Sequence, residues 1–262
     1  MNQERKKHIV RALAAGVRLD GRKLDEFRPV ELKVGVSSTA EGSAMVKAGD
    51  TEAIAGVKMG LGTPYPDTPD SGVLMVNAEL LPISNPEFES GPPSIESIEV
   101  ARVIDRGIRE SHSFDTKSLC VEKGEKVWMV QCDILPLNFD GNLIDLGGLA
   151  VLAALRDARF PKVDEEGAVD YHEKTDKGLA LQQLPVPITV GKIGEHLIVD
   201  PAQEEEQALD ARLTMTMLAD GTVCALQKGG QAPLTISEIK EMVKLADAKS
   251  KELRKQLLEV AT

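Results

Sequence analysis

Aromatic residues are scarce: one Trp, two Tyr and five Phe make up 3% of the 262 residues. This argues against sequence-tolerant RNA binding by base stacking on aromatic platforms as the main mode of action. Cysteine is equally sparse, and Cys120, Cys132 and Cys224 are odd in number and far apart. No pair has metal-ligand spacing, and Cys132 and Cys224 lie in apolar, strand-like runs. The expectation is buried free thiols in a reducing compartment. Positive charge is in deficit, with 31 Lys and Arg against 42 Asp and Glu, a formal net charge of -11. A surface that attracts nucleic acid everywhere is thereby excluded, though a local basic channel is not. No long uninterrupted apolar run occurs, and residues 1–7 are polar and charged. The chain is therefore expected to carry no signal peptide or membrane span and to reside in the cytoplasm.

What is present is an ordinary globular composition, 42% apolar and 28% charged, at a length that suits one large domain or two small ones. Residues 3–15 read as an amphipathic helix with Ile9 and Leu13 on one side. Strand-like stretches follow at 30–36, 43–48, 53–59 and 72–81, interrupted by turn residues and a Pro-rich loop. A second Pro-rich loop, 85–93, leads into a helix over 95–112 with Ser94 as N-cap. A strong strand at 127–135 precedes 143–158, a helix apolar all round and hence buried, in which Gly147 and Gly148 read as close packing. Residues 160–184 are more polar and contain a charged loop, which marks a subdomain boundary. Strands at 188–193, 197–200, 213–218 and 222–226 precede a long helix, 236–260. Asp220-Gly221 signals a hairpin, and Gly229-Gly230 reads as a loop. Strands followed by helices, twice over, predict an α+β fold of two similar mixed-sheet and helix halves. The expected layout is a helix over 1–16, a first subdomain over 17–162, a charged connecting loop over 163–186 and a second subdomain over 187–258.

One helix face departs from the acidic background. Arg102, Arg106 and Arg109 fall within roughly 60° of one another at about 100° per residue. Val100, Ala101, Ile104 and Ile108 occupy the other side. Guanidinium forks bind phosphate oxygens bidentately, so this face suits a polyanion. A plainer alternative competes: Glu99, Asp105 and Glu110 stand three or four positions from these arginines and can pair with them along the helix.

Arg18-Leu19-Asp20-Gly21-Arg22-Lys23, followed by Arg28-Pro29, resembles the opening of RNase PH-type proteins. Leu80-Leu81-Pro82 before a Pro-rich loop, the Arg-bearing segment 101–109, and an Asp133-containing strand running into small-residue 147–154 agree in order and spacing. The resemblance spans 17–260. Gly91-Pro92-Pro93 and Asp210-Ala211-Arg212 narrow it to the non-catalytic RNase PH-like type found in the archaeal exosome. It implies the RNase PH-type fold (ribosomal protein S5 domain 2-like) and a ring of three heterodimers with a catalytic RNase PH-like subunit. Cap subunits with S1 and KH or zinc-ribbon domains would admit single-stranded RNA. The partner subunit would use inorganic phosphate, and Mg²⁺ where the chemistry takes a metal, for 3′–5′ phosphorolysis. The resemblance further implies that Arg102 and Arg106 reach RNA phosphates beside that site, with Arg109 a third RNA-binding candidate.

Phosphate attack on a phosphodiester needs cations to bring two anions together, and a donor or carboxylate-held metal at the leaving oxygen. Active family members supply a Gly-Thr/Ser-Arg loop after the Asp133-like strand and two Asp six residues apart in the second half. Here residues 138–143 read Asn-Phe-Asp-Gly-Asn-Leu, so Asn142 or its neighbour replaces the loop Arg, and Asp140 would repel phosphate. Counted from Asp200, Glu206 takes the first Asp position and Arg212 the second. The chain is expected to hold no catalytic residue, no cofactor and no metal. Glu204, Glu205 and Glu206 read as a solvated acidic turn, with metal binding left open. Arg212 is a phosphate contact or, preferably, an ion-pair partner of Asp210 or Glu206. The reading is a ring subunit that contacts RNA and helps shape its partner's exoribonuclease site. Its rivals are an active phosphorolytic exoribonuclease and a structural ring subunit without RNA contact.

Overall fold

The computed structural model describes residues 3–164 and 167–260. Helix α1 (Gln3–Ala14) buries Ile9 and Leu13 against Ile193, Ile198 and Ala208 of the second half. Strands β1 (Val30–Val34), β2 (Gly42–Ala48), β3 (Thr51–Gly62) and β4 (Val73–Ala78) precede helix α2 (Ile95–Glu110). Then come β5 (Cys120–Glu122), the long strand β6 (Lys126–Asn138) and helix α3 (Leu143–Asp157). After β7 (Arg159–Val163) and β8 (Val169–Gly178), the second half comprises β9 (Val186–Ile193), β10 (His196–Val199), the single turn α4 (Gln203–Glu206), β11 (Ala211–Met217), β12 (Val223–Gly230) and α5 (Ile236–Glu259).

The first sheet has the order β1-β2-β3-β6-β4, with β5 also on β6, and only β4 runs parallel to its neighbour. The second sheet is antiparallel in the order β10-β9-β11-β12. This is the predicted α+β class of mixed sheets and helices. Period-two alternation sends Thr51, Ala53, Ala55, Val57 and Met59 of β3 inward. They meet α3, which is buried from Leu143 to Leu155 because the first sheet covers one side and β9 the other. Close packing is the role of its glycines: a Cβ at Gly148 would lie 2.5 Å from Pro187 Cγ.

Three sequence expectations need correction. The expected charged connecting loop, 163–186, instead contains the strand β8, which pairs with β7 as a two-stranded ribbon. Their charges face solvent, while Phe160 stacks edge-on to Trp128 at 5.3 Å and Lys58 lies 4.7 Å from the Tyr171 ring centre. Gly229 and Gly230 are not a loop but the end of β12, opposite Arg212 and Ala211. Of the cysteines, all free, Cys132 is buried, but Cys224 is only half-buried, on the edge strand β12. The Asp220-Gly221 turn does join β11 to β12, with Gly221 at φ +87° and the Leu218 N–H donating to Thr222 O at 2.8 Å. Among the described residues no helix is long and apolar enough to cross a membrane.

The approach of β2 to α3 depends on Gly42. A Cβ there would lie 2.3 Å from Ala154 O and 2.5 Å from Ala158 N, both backbone atoms that cannot rotate away. Gly42→Ala is expected to destabilise the fold by about 1–3 kcal/mol. A urea-denaturation midpoint unchanged from wild type would contradict this packing.

Candidate nucleic-acid interface

The Arg-rich opening segment builds a junction between the two halves. Arg28 donates to Asp200 from its backbone N, Nε and Nη2 at 2.8, 2.9 and 2.7 Å. Arg22 and Asn142 Nδ2 each add a bond at 2.8 Å. Asp200 is 0% exposed. Burial alone would raise its pKa, but the hydrogen bonds and charge of Arg28 hold it below the usual carboxylate value. Arg18, 2% exposed, clasps Glu205 with Nε and Nη2 and caps Val199 O at 2.8 Å.

The loop after β6 is filled from within. Asn142 adopts φ +60° and spends its amide on Asp200. Asp140 Oδ1 accepts from Gln203 N at 3.3 Å, and its carbonyl and Oδ2 accept from Arg28. Glu204, Glu205 and Glu206 are not a freely solvated turn. Glu204 pairs with Arg5, Glu205 with Arg18, and Glu206 accepts from Asn142 N at 3.3 Å. Among the described residues no three His, Cys, Asp or Glu side chains come together in a metal-binding group. Beside this segment is a pocket of about 380 Å³ lined by Glu87, Glu96, Glu99 and Glu206, with Arg212 its one lining cation. Arg212 is in an ion pair, but with Glu99 of α2 at 2.6 Å rather than with Asp210 or Glu206. Acids outnumber the one guanidinium of this pocket, which is itself paired with Glu99, so no cation in it is left free for phosphate.

The arginine helix has a different character. Ser94 Oγ accepts from Ser97 N at 3.1 Å and caps α2, while Val100, Val103, Ile104, Gly107 and Ile108 are buried. Ala101, expected in the core, is half-buried. Arg102, Arg106 and Arg109 are exposed along a groove of about 750 Å³ between α2 and strands β11 and β12. Arg109 pairs with Asp105 at 2.5 Å and Glu110 at 3.7 Å. Arg102 and Arg106 have no carboxylate partner among the described residues. The structure thus sets Arg109, paired with Asp105 as helical spacing allowed, apart from Arg102 and Arg106. It also makes Glu99 a bridge between halves, where sequence spacing offered it only to arginines of its own helix.

Comparison with known proteins adds an independent line. Residues 26–161 match the 3′ exoribonuclease family, domain 1, and residues 183–249 match domain 2. "Exosome complex component Rrp42" of Methanopyrus kandleri is 44% identical over 254 residues, covering 95% of this chain and 94% of its own length. The Methanosarcina acetivorans protein of the same name is 46% identical over 255 residues, covering 97% and 94%. A chain of the solved structure "archaeoglobus fulgidus exosome with RNA bound to the active site" superposes with a TM-score of 0.90 at 44% identity, covering 97% of this chain and 98% of that one.

Two carboxyls near the junction bind protons unusually tightly. Asp145 and Glu206 are both pushed up to about 7, foremost by burial. Among the described residues no cation pairs with Asp145: Thr189 donates its N–H at 2.8 Å and its hydroxyl at 2.7 Å, and nearby Asp200 adds negative charge. Because the folded pKa exceeds the unfolded one, this contribution to stability is full below about pH 4 and is lost as pH rises toward about pH 7. Asp145→Asn is expected to flatten the fall in the urea midpoint across that window. A slope identical to wild type would exclude Asp145 as its source.

Proposed function

The chain belongs to the 3′ exoribonuclease family of RNase PH-type proteins, and we propose that it is a non-catalytic, RNA-contacting subunit of an archaeal-type exosome ring. In this reading it forms three heterodimers with a catalytic RNase PH-like subunit beneath S1/KH or zinc-ribbon cap subunits, in the cytoplasm. It leaves inorganic phosphate, and any Mg²⁺, to that partner.

One observation carries the proposal. Arg102 and Arg106 stand exposed beside a groove, with no carboxylate partner among the described residues, on a chain whose net charge is -11. Guanidinium groups without a carboxylate bind phosphate without first breaking an ion pair. With few aromatics available, contact runs through the RNA backbone and is indifferent to base sequence. The absence of catalysis is supported by Asp140 and Asn142, which occupy the family's phosphate loop, and by the carboxylate-lined pocket beside them. The relatives' names and the RNA-bound exosome support ring membership.

The test is a ring reconstituted with its RNase PH-like partner. Arg102→Glu with Arg106→Glu is expected to weaken binding of single-stranded RNA roughly tenfold or more, equally for different sequences. The slope of log affinity against log salt should shrink by about 0.7 for each phosphate that the ring no longer neutralises. Unchanged affinity and turnover would leave a structural ring subunit. The purified chain alone is expected to release no nucleoside diphosphate from RNA and phosphate, and release would establish an active site of its own.

A further inference from the structure

We propose that Arg212 is a positioning residue that keeps Arg102 available to RNA by drawing Glu99 out of the groove; this rests on the RNA-contacting reading above. Glu99 is the acid that could silence the stripe. It precedes Arg102 by three residues on α2 and lies about 60° from it around the helix, close to the angle of Arg106. It lines both the α2 groove and the carboxylate pocket, whereas Arg212 lines only the pocket. Glu99 therefore sits on the ridge between them, and its 2.6 Å ion pair with Arg212 holds its carboxylate on the pocket side.

The second sheet is shaped for this reach. Arg212 stands on β11 directly across from Gly229 on β12. A Cβ at Gly229 would lie 2.8 Å from Arg212 Nε and 3.0 Å from its Cγ, so the missing side chain leaves the lane in which Arg212 lies. Without Arg212, the nearest cation to Glu99 at helical spacing is Arg102. A second acid of the stripe, Asp105, also three residues from Arg102, is handled in the same way by Arg109 at 2.5 Å. Glu110, four residues from Arg106, also lies against Arg109, at 3.7 Å, so all three acids flanking the free arginines are assigned to other cations, and Arg102 and Arg106 keep their charge for an incoming phosphate.

The test uses the reconstituted ring, a fluorescein-labelled oligoadenylate and binding read by anisotropy, with ring mass measured for every variant. Arg212→Met is expected to weaken binding about threefold to tenfold, as Arg102 turns from phosphate to Glu99. Glu99→Gln added to it should restore binding, which also shows that the ring is intact. In an Arg102→Met background, Arg212→Met should have no further effect, because the residue it protects is gone. A silent Arg212→Met overturns the proposal. So does a loss that Glu99→Gln fails to rescue, or one additive with Arg102→Met; these are the signatures of a direct phosphate contact or a general charge effect. If Arg102→Met alone leaves binding unchanged, the RNA-contacting reading itself fails. If it weakens binding while the rescue fails, only the role of Arg212 falls.

Discussion

The buried carboxylate of Asp200 is the interaction on which the arrangement depends. An isolated ionised carboxylate in the interior costs several kcal/mol, repaid only when its oxygens are saturated with well-placed donors. Here Arg28 supplies three bonds, and Arg22 and Asn142 one each. The donors come from the opening segment and from the loop after β6, while Asp200 itself follows β10 at φ +46°. Stretches remote in sequence must therefore meet at one point before the charge is satisfied. The adjoining Arg18–Glu205 pair applies the same constraint to α4. Removing one partner would leave another charge buried and unpaired, which makes the junction between the halves all-or-none.

That junction also decides where anions can and cannot bind. Asn142 and Asp140 are committed to the buried network and to Arg28, so the loop after β6 has little left to offer phosphate. The neighbouring pocket collects Glu87, Glu96, Glu99 and Glu206 around Arg212. A short distance along α2 the balance reverses, because two acids of the helix are neutralised by Arg212 and Arg109. An acidic protein thereby presents a cationic face without changing its overall charge. Net charge describes the distant field; the near field that a phosphate group meets is set by which pairs have formed.

Much of the fold was legible in the sequence because its signals are local. The apolar run of α3 required burial on all sides, and two sheets provide it. Ser94 announced the start of α2, and Asp220-Gly221 the β11–β12 turn. The ribbon of β7 and β8 was hidden: its β8 residues are mostly polar or charged and mostly exposed, so no period-two apolar alternation survives to be read. Gly229 and Gly230 looked like a loop because glycine marks turns more often than strand ends, and only the register against β11 shows what their small size accommodates.

The sequence by itself determined the helix that carries Arg102, Arg106 and Arg109 and the single face they share, since both follow from the 3.6-residue period. Its resemblance to RNase PH-type proteins further implied that the family's loop arginine and second aspartate are replaced, by Asn142 or its neighbour and by Arg212. The Asp105–Arg109 pair is one that helical spacing offers, but tertiary structure alone decided the partner of Glu99. Spacing along a helix offers Glu99 to Arg102, yet β11 delivers Arg212 to it from 113 residues away. Ion pairing depends on which groups arrive within a few ångströms, and that is a property of how distant strands and helices pack, not of the order in which residues are joined.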